Sequence, residues 1–204
     1  MLVWVNVLFS LGLIWNALLF LFQANRIRRT ASVHGVSLFM FLGFNIGQAL
    51  GVINGVVFQD PTLLYGFLLS FVACYVVTSQ IIYYRLAHKR WATAWYWMVG
   101  IVLAFSVVVW LFLQVPDTKL ISSLSYGVEL VWNAFLFVSQ SISLARSKDP
   151  KNLSLLMFLG FNAIQLLAVL NGIMYKDAGL YIGSGLSFIT CFIVSVQIVY
   201  YRFR

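Results

Sequence analysis

Seven stretches of this chain are almost continuously apolar, and each is long enough to cross a lipid bilayer as a helix. A helical residue rises about 1.5 Å, so about 20 apolar residues span a hydrocarbon layer about 30 Å thick. The stretches do not alternate between apolar and polar residues as membrane-barrel strands do, so we predict helices. The predicted spans cover residues 3–25, 36–58, 62–86, 91–115, 119–142, 153–175 and 178–201. The predicted fold class is an all-α membrane protein with seven transmembrane helices.

The first three predicted spans are repeated in the last three. Residues 15–87 align with residues 132–204 at a constant offset of 117 without a gap, and 33 of the 73 aligned positions are identical. The span at 91–115 has no counterpart. We therefore predict two parallel three-helix repeats, residues 1–87 and 119–204, joined by an inverting linker helix within residues 88–118 (3+1+3). In many membrane transporters, duplicated units place the substrate site at their interface.

Composition and charge agree with a membrane location. Hydrophobic residues make up 62% of the 204 residues and charged residues only 9%, which excludes an ordinary soluble domain. With the N-terminus outside, 11 of the 13 Lys and Arg residues fall on the inner side, as short cytoplasmic loops favour. The net charge of +8 then reflects topology and contact with anionic lipid, and no nucleic-acid partner is predicted. We predict an integral multi-pass protein with a cytoplasmic C-terminus, and its minimal loops favour a bacterial inner membrane.

Carboxamide side chains recur at membrane depth, where an unpaired amide is costly. One interpretation is a cavity that hydrogen-bonds the hydroxyls or amides of a neutral solute. The other is interhelical hydrogen bonding that holds each three-helix repeat together. The candidate substrate-binding carboxamides are Asn45, Gln48, Asn162, Gln165, Asn16 and Asn133.

Glu129 is the only acidic residue well inside a predicted span, and its counterpart in the first repeat is Gly12. An intramembrane carboxylate is by default a candidate functional group, so we identify Glu129 as a candidate for proton coupling. His34 and His88 lie in predicted loops, and neither a pair of acids nor a metal-ligand spacing occurs within a span. We therefore predict no enzymatic activity, no metal and no cofactor.

A short series of motifs occurs in the same order in both repeats. In the first repeat, Gln23 is followed by basic residues, then by Ser37-Leu38, by Gly55 five residues before Asp60, and by a closing Tyr83-Tyr84-Arg85. This order resembles the SWEET and SemiSWEET sugar transporters of the PQ-loop superfamily. The resemblance spans both repeats, and it implies a 3+1+3 fold with an outside N-terminus.

The same resemblance implies a proline hinge and two pairs of substrate-facing positions, and the chain departs from the family pattern at all of them. The departure at the hinge implies that no proline hinge operates there, and the departures at the substrate-facing positions imply a pocket with altered chemistry. The family's Pro before the Gln falls at Phe22 and Ser139, its Trp in the second helix at Gly51 and Ala168, and its substrate-facing Asn in the third helix at Phe67 and Ser184.

We predict a transporter that moves a small polar solute, sugar-like or amino-acid-like, by alternating access between two pseudo-symmetric three-helix bundles. The alternative is a seven-helix receptor, sorting protein or structural membrane protein without net transport. The predicted partners are the solute and the lipid bilayer. Small residues at a spacing of four would also suit packing against a second copy in a homo-oligomer. In the second predicted span they are Gly43, Gly47, Gly51 and Gly55.

Overall fold

The structure is a computed structural model that describes residues 2–57, 59–85, 118–176 and 178–204, with side chains described at 11–57, 59–85, 131–174, 176 and 178–204. These residues form six helices. They are α1 (Leu2–Thr30), α2 (Leu38–Val57), α3 (Pro61–Arg85), α4 (Thr118–Ser147), α5 (Leu155–Tyr175) and α6 (Ala178–Phe203). The predicted linker span at 91–115 lies outside the described residues, so the 3+1+3 arrangement stays a prediction.

The described helices have the length and the surface of membrane spans. Four of them are long and apolar enough to cross a bilayer, namely α2, α3, α5 and α6. Their outer faces expose large apolar side chains such as Leu69 (51% exposed), Ile189 (56%) and Phe192 (52%). Such a surface suits lipid and not water. The chain is therefore a multi-pass integral membrane protein, as predicted, and every regular element among the described residues is an α-helix.

The six helices form a closed ring with approximate two-fold symmetry. Within the first repeat, α3 packs between α1 and α2, and within the second repeat α6 packs between α4 and α5. The two repeats meet where α2 packs on α4 and where α1 packs on α5. Adding 117 to the residue numbers of each helix contact in the first repeat gives the equivalent contact in the second, and the two contacts between the repeats are related in the same way. The repeat in the sequence is therefore also a repeat in helix packing.

Glycines allow the second and third helices of each repeat to approach closely. A Cβ added at Gly55 would lie 2.6 Å from Leu64 Cα, and one added at Gly172 would lie 2.6 Å from the Tyr181 backbone nitrogen. The neighbouring atoms belong to the backbone of α3 and α6, so they cannot move aside as a side chain could. Asp60 then begins α3 by accepting hydrogen bonds from the Thr62 and Leu63 backbone amides.

We expect Gly55→Ala to destabilise the protein by about 1–3 kcal/mol, because the added methyl group must separate two packed backbones. The matched control is Gly185→Ala on α6, where nothing lies within 4 Å of the added Cβ. The control should leave the midpoint of thermal unfolding in detergent unchanged or slightly raised, since Ala favours helix over Gly. Equal midpoints for the two variants would contradict the close approach of α2 and α3.

Candidate functional site

Four phenylalanine rings fill the centre of the bundle where the two repeats meet. Phe20 of α1, Phe44 of α2, Phe137 of α4 and Phe161 of α5 are all buried, and they form two pairs related by the repeat. Ring centroids lie 5.4 Å apart for Phe20 and Phe161, and the same distance apart for Phe44 and Phe137. Most of the contacts are edge-to-face, the arrangement that aromatic rings prefer. We call these four rings the phenylalanine cluster.

One end of the bundle, which we call the loop side, carries the segments 31–37 and 148–154. There, a glutamine from the first helix of each repeat binds the loop of the other repeat. Gln23 Nε2 donates to Asn152 O at 2.7 Å, and Gln23 Oε1 accepts from Ser154 N at 2.8 Å. Gln140 forms the equivalent pair of hydrogen bonds with Gly35 O at 2.7 Å and Ser37 N at 2.8 Å.

Both glutamine side chains are completely buried, so these four hydrogen bonds lie away from water. The two loops also contact each other, because Asn152 Nδ2 donates to His34 O at 3.0 Å and to Ser32 Oγ at 3.2 Å. The two loops, each bound by the glutamine of the other repeat, and the phenylalanine cluster deeper in the bundle together close the loop side. Opening this end would require the glutamine hydrogen bonds to break.

A layer of four carboxamides lies next to the phenylalanine cluster, one helical turn further from the loop side. Asn16 and Asn133 precede Phe20 and Phe137 by four residues, while Gln48 and Gln165 follow Phe44 and Phe161 by four. Residues four apart share a helix face, and four residues rise about 6 Å. The first helix of each repeat runs toward the loop side and the second runs away from it. All four side chains therefore lie on the same side of the phenylalanine cluster, and we call them the carboxamide layer.

Every member of the carboxamide layer has a buried side-chain oxygen without a hydrogen-bond partner among the described residues. These atoms are Asn16 Oδ1, Asn133 Oδ1, Gln48 Oε1 and Gln165 Oε1. An unpartnered buried acceptor costs about 1–3 kcal/mol, so four at one level require an explanation. A bound hydrogen-bond donor would satisfy them.

The structure separates Asn45 and Asn162 from the carboxamide layer. Asn45 Nδ2 donates to Thr78 Oγ1 and to Phe41 O, both at 2.7 Å. Asn162 Nδ2 likewise donates to Ser195 Oγ and to the carbonyl of its own helix, both at 2.9 Å. These two amide nitrogens therefore join the second and third helices within one repeat, as the alternative interpretation of interhelical hydrogen bonding requires. Asn45 Oδ1 and Asn162 Oδ1, like the oxygens of the carboxamide layer, are buried without a partner among the described residues.

The two repeats differ one further turn along the second helix. In the first repeat, the buried ring of Phe67 occupies the space next to Gly51, where an added Cβ would overlap it. In the second repeat the corresponding residues are Ser184 and Ala168. Ser184 is completely buried, and its hydroxyl has no partner among the described residues. At this depth, the first repeat thus presents an aromatic ring and the second repeat presents a hydroxyl group.

Glu129 lies on α4, four residues before Asn133 and eight before Phe137, so the three residues share one face of the helix. Its side chain is outside the described side chains, and its proposed role rests on sequence alone. The recurrence of Gln23 and Gln140 at the 117-residue offset, near the end of a span, marks them as equivalent residues. It does not indicate that they bind the opposite loops.

Comparisons with known proteins support the fold. No protein-family model and no curated protein matches this chain. Among solved structures, the chain is similar to a eukaryotic SWEET transporter with a TM-score of 0.62 and 15% sequence identity, covering 97% of this chain and 100% of that one. The resemblance predicted from the motifs is therefore confirmed at the level of the fold, and the chain has a SWEET-like fold over nearly its whole length.

Proposed function

We propose that this protein is a membrane carrier that moves a small polar solute by alternating access between its two three-helix repeats. The observation that carries the proposal is the carboxamide layer, with its four buried and unpartnered oxygens at the junction of the repeats. The closed loop side supports it, because a carrier must seal one end of its pathway while the site faces the other. The SWEET-like fold supports it further, since that structure is described as a transporter.

The chemistry of the carboxamide layer favours a neutral solute that donates hydrogen bonds. Carboxamide oxygens accept hydrogen bonds from hydroxyl or amine groups and carry no formal charge. The solute is therefore sugar-like or amino-acid-like. Phe67 would contact an apolar face of the solute, and Ser184 would hydrogen-bond its opposite face. In this account Asn45 and Asn162 stabilise the repeats and do not contact the solute.

The orientation belongs to the same proposal. We place the loop side in the cytoplasm and the N-terminus outside, because four of the described helices end on the loop side with Arg residues in their last turns. The closed conformation would then face outward. The membrane would be a bacterial inner membrane, and the seven-helix 3+1+3 arrangement would supply the linker that makes the two repeats parallel.

Counterflow in proteoliposomes tests the function. Vesicles are preloaded with one unlabelled compound from a panel of sugars, amino acids and polyols, and uptake of the same labelled compound is followed. A carrier gives transient, saturable accumulation for at least one compound. Folded protein that binds a compound saturably but gives no counterflow with any of them would contradict the proposal and favour the receptor or sorting alternative.

Glu129 is proposed to couple transport to protons. We expect Glu129→Gln to abolish the response of uptake to an imposed pH gradient while leaving counterflow within about twofold of wild type, because a neutral side chain can bind solute but cannot carry a proton. The measurement compares uptake with and without the gradient in both proteins. A gradient response that persists in the variant would remove Glu129 from the coupling step.

A further inference from the structure

Two arginines from different repeats converge on the loop at 148–154. Arg26, near the end of α1, donates from Nε to Lys151 O at 2.6 Å. Arg202, near the end of α6, donates from Nη2 to Leu153 O at 3.0 Å. The two acceptor carbonyls are only two residues apart, so the two guanidinium groups bind neighbouring parts of one short loop. We call them the arginine pair.

The arginine pair has no anionic partner among the residues that the structure describes. No carboxylate in that part of the chain lies within 4.0 Å of either guanidinium, and the ion pair found there joins His34 to Asp149 at 3.8 Å. A guanidinium has five N–H donors, and the described hydrogen bonds use one from each arginine. Two like charges with unused donors thus lie close together.

The equivalent loop of the first repeat lacks this arrangement. Arg85 donates to Val36 O at 2.6 Å and so matches Arg202. The counterpart of Arg26, however, is Ser143, which donates to Gly35 O at 3.3 Å. A single cation at the helix end therefore suffices to hold a loop of this kind. The second arginine adds charge that the fold does not require.

The location of the arginine pair indicates what kind of anion it meets. Arg202 lies one residue before the end of the apolar span Ala178–Phe203, which is the depth of lipid headgroups. Arginine binds phosphate through two parallel N–H donors, and basic pockets at this depth bind anionic headgroups. The attraction of cations to helix C-termini accounts for one arginine at each loop but not for the pair.

We infer that the arginine pair is a binding site for the phosphoryl group of an anionic phospholipid, and that the second repeat has this site while the first does not. The bound phosphate neutralises the two guanidiniums while they remain hydrogen-bonded to the loop. Because Gln23 binds the same loop at Asn152 and Ser154, the lipid stabilises the closed state of the loop side.

The test is lipid binding to the purified protein in detergent, followed by native mass spectrometry and by the midpoint of thermal unfolding. The probes are phosphatidylglycerol, phosphatidylcholine and inorganic phosphate. For the wild-type protein we expect phosphatidylglycerol to bind saturably and raise the midpoint, while phosphatidylcholine does not. Inorganic phosphate that binds as tightly as phosphatidylglycerol would overturn the assignment to lipid in favour of a soluble anion.

Variants taken from the repeat itself locate the site. Arg26→Ser introduces the residue of the first repeat and should weaken phosphatidylglycerol binding about tenfold or more, the expected loss of one charged hydrogen bond. Ser143→Arg should create a second site of similar affinity beside Arg85. Arg28→Ser, on the same helix but bonded to Asn25, is the control and should bind like wild type. Equal losses of phosphatidylglycerol affinity in the Arg26 and Arg28 variants would indicate diffuse attraction to surface charge. Unchanged affinity in Arg26→Ser would show that the arginine pair does not bind the lipid. Either result overturns the inference.

Discussion

Replacing both Gln48 and Gln165 with leucine is expected to weaken solute binding about a hundredfold without destabilising the protein. Each glutamine contributes one acceptor to the carboxamide layer, and losing a hydrogen bond of about 1–1.5 kcal/mol weakens solute binding about tenfold. The double variant should therefore lose about a hundredfold in apparent affinity in the counterflow assay. Its thermal midpoint should stay the same or rise, because leucine removes a buried oxygen that has no described partner.

Asn45→Leu is the matched control, because it removes a carboxamide from the same helix three residues away. Asn45 is hydrogen-bonded to Thr78, so its loss should destabilise the protein by about 1–3 kcal/mol. Protein that remains folded should retain counterflow. If the glutamine variants were instead destabilised and Asn45→Leu abolished solute binding in folded protein, the roles assigned to the two kinds of carboxamide would be reversed.

Gln23→Ala and Gln140→Ala are expected to open the loop side, each in the opposite repeat. Gln23→Ala leaves the buried Asn152 O and the partly buried Ser154 N without their partner, at a cost of about 1–3 kcal/mol for the buried group and less for the other. Hydrogen exchange should therefore accelerate in segment 148–154 and not in segment 31–37. Gln140→Ala should show the reverse pattern.

Each of the two variants is the control for the other, because the loop that exchanges faster in one variant should exchange at the wild-type rate in the other. A purely local effect would increase exchange in the loop that follows the mutated helix. Such a result would contradict the reciprocal binding of the two loops. Equal exchange in both segments would instead indicate global unfolding, which the thermal midpoint of each variant would reveal.

Much of the fold was predictable because the bilayer imposes strong constraints. A helix must be apolar over about 20 residues, and the six described helices overlap the predicted spans. The gap-free repeat also predicted a pair of equivalent three-helix units. The extension of α1 to Thr30 was not predicted, because Arg26, Arg28 and Arg29 are polar residues that continue a helix beyond the apolar core.

The candidate site was less predictable, because small differences in helix direction decide which partner an amide meets. Asn45 and Gln48 are three residues apart and differ in direction by about 60°. That angle is enough to place Asn45 against Thr78 while Gln48 lies on the same helix face as Phe44. The packing of α3 against α2 determines which of the two amides meets Thr78. The partners of Gln23 lie about 130 residues away in the other repeat, and no local pattern contains that information.

The central claim, alternating access, is tested most directly by the distance across the loop side. His34 and Lys151 are exposed, occupy equivalent positions in the two repeats, and can carry spin labels as cysteines in a background with Cys74 and Cys191 replaced by alanine. In lipid nanodiscs we expect two distance populations, a shorter one for the closed loop side and a longer one whose fraction changes when the solute that gives counterflow is added. A single short distance under every condition would contradict the account, because a carrier that never opens its loop side cannot release solute there.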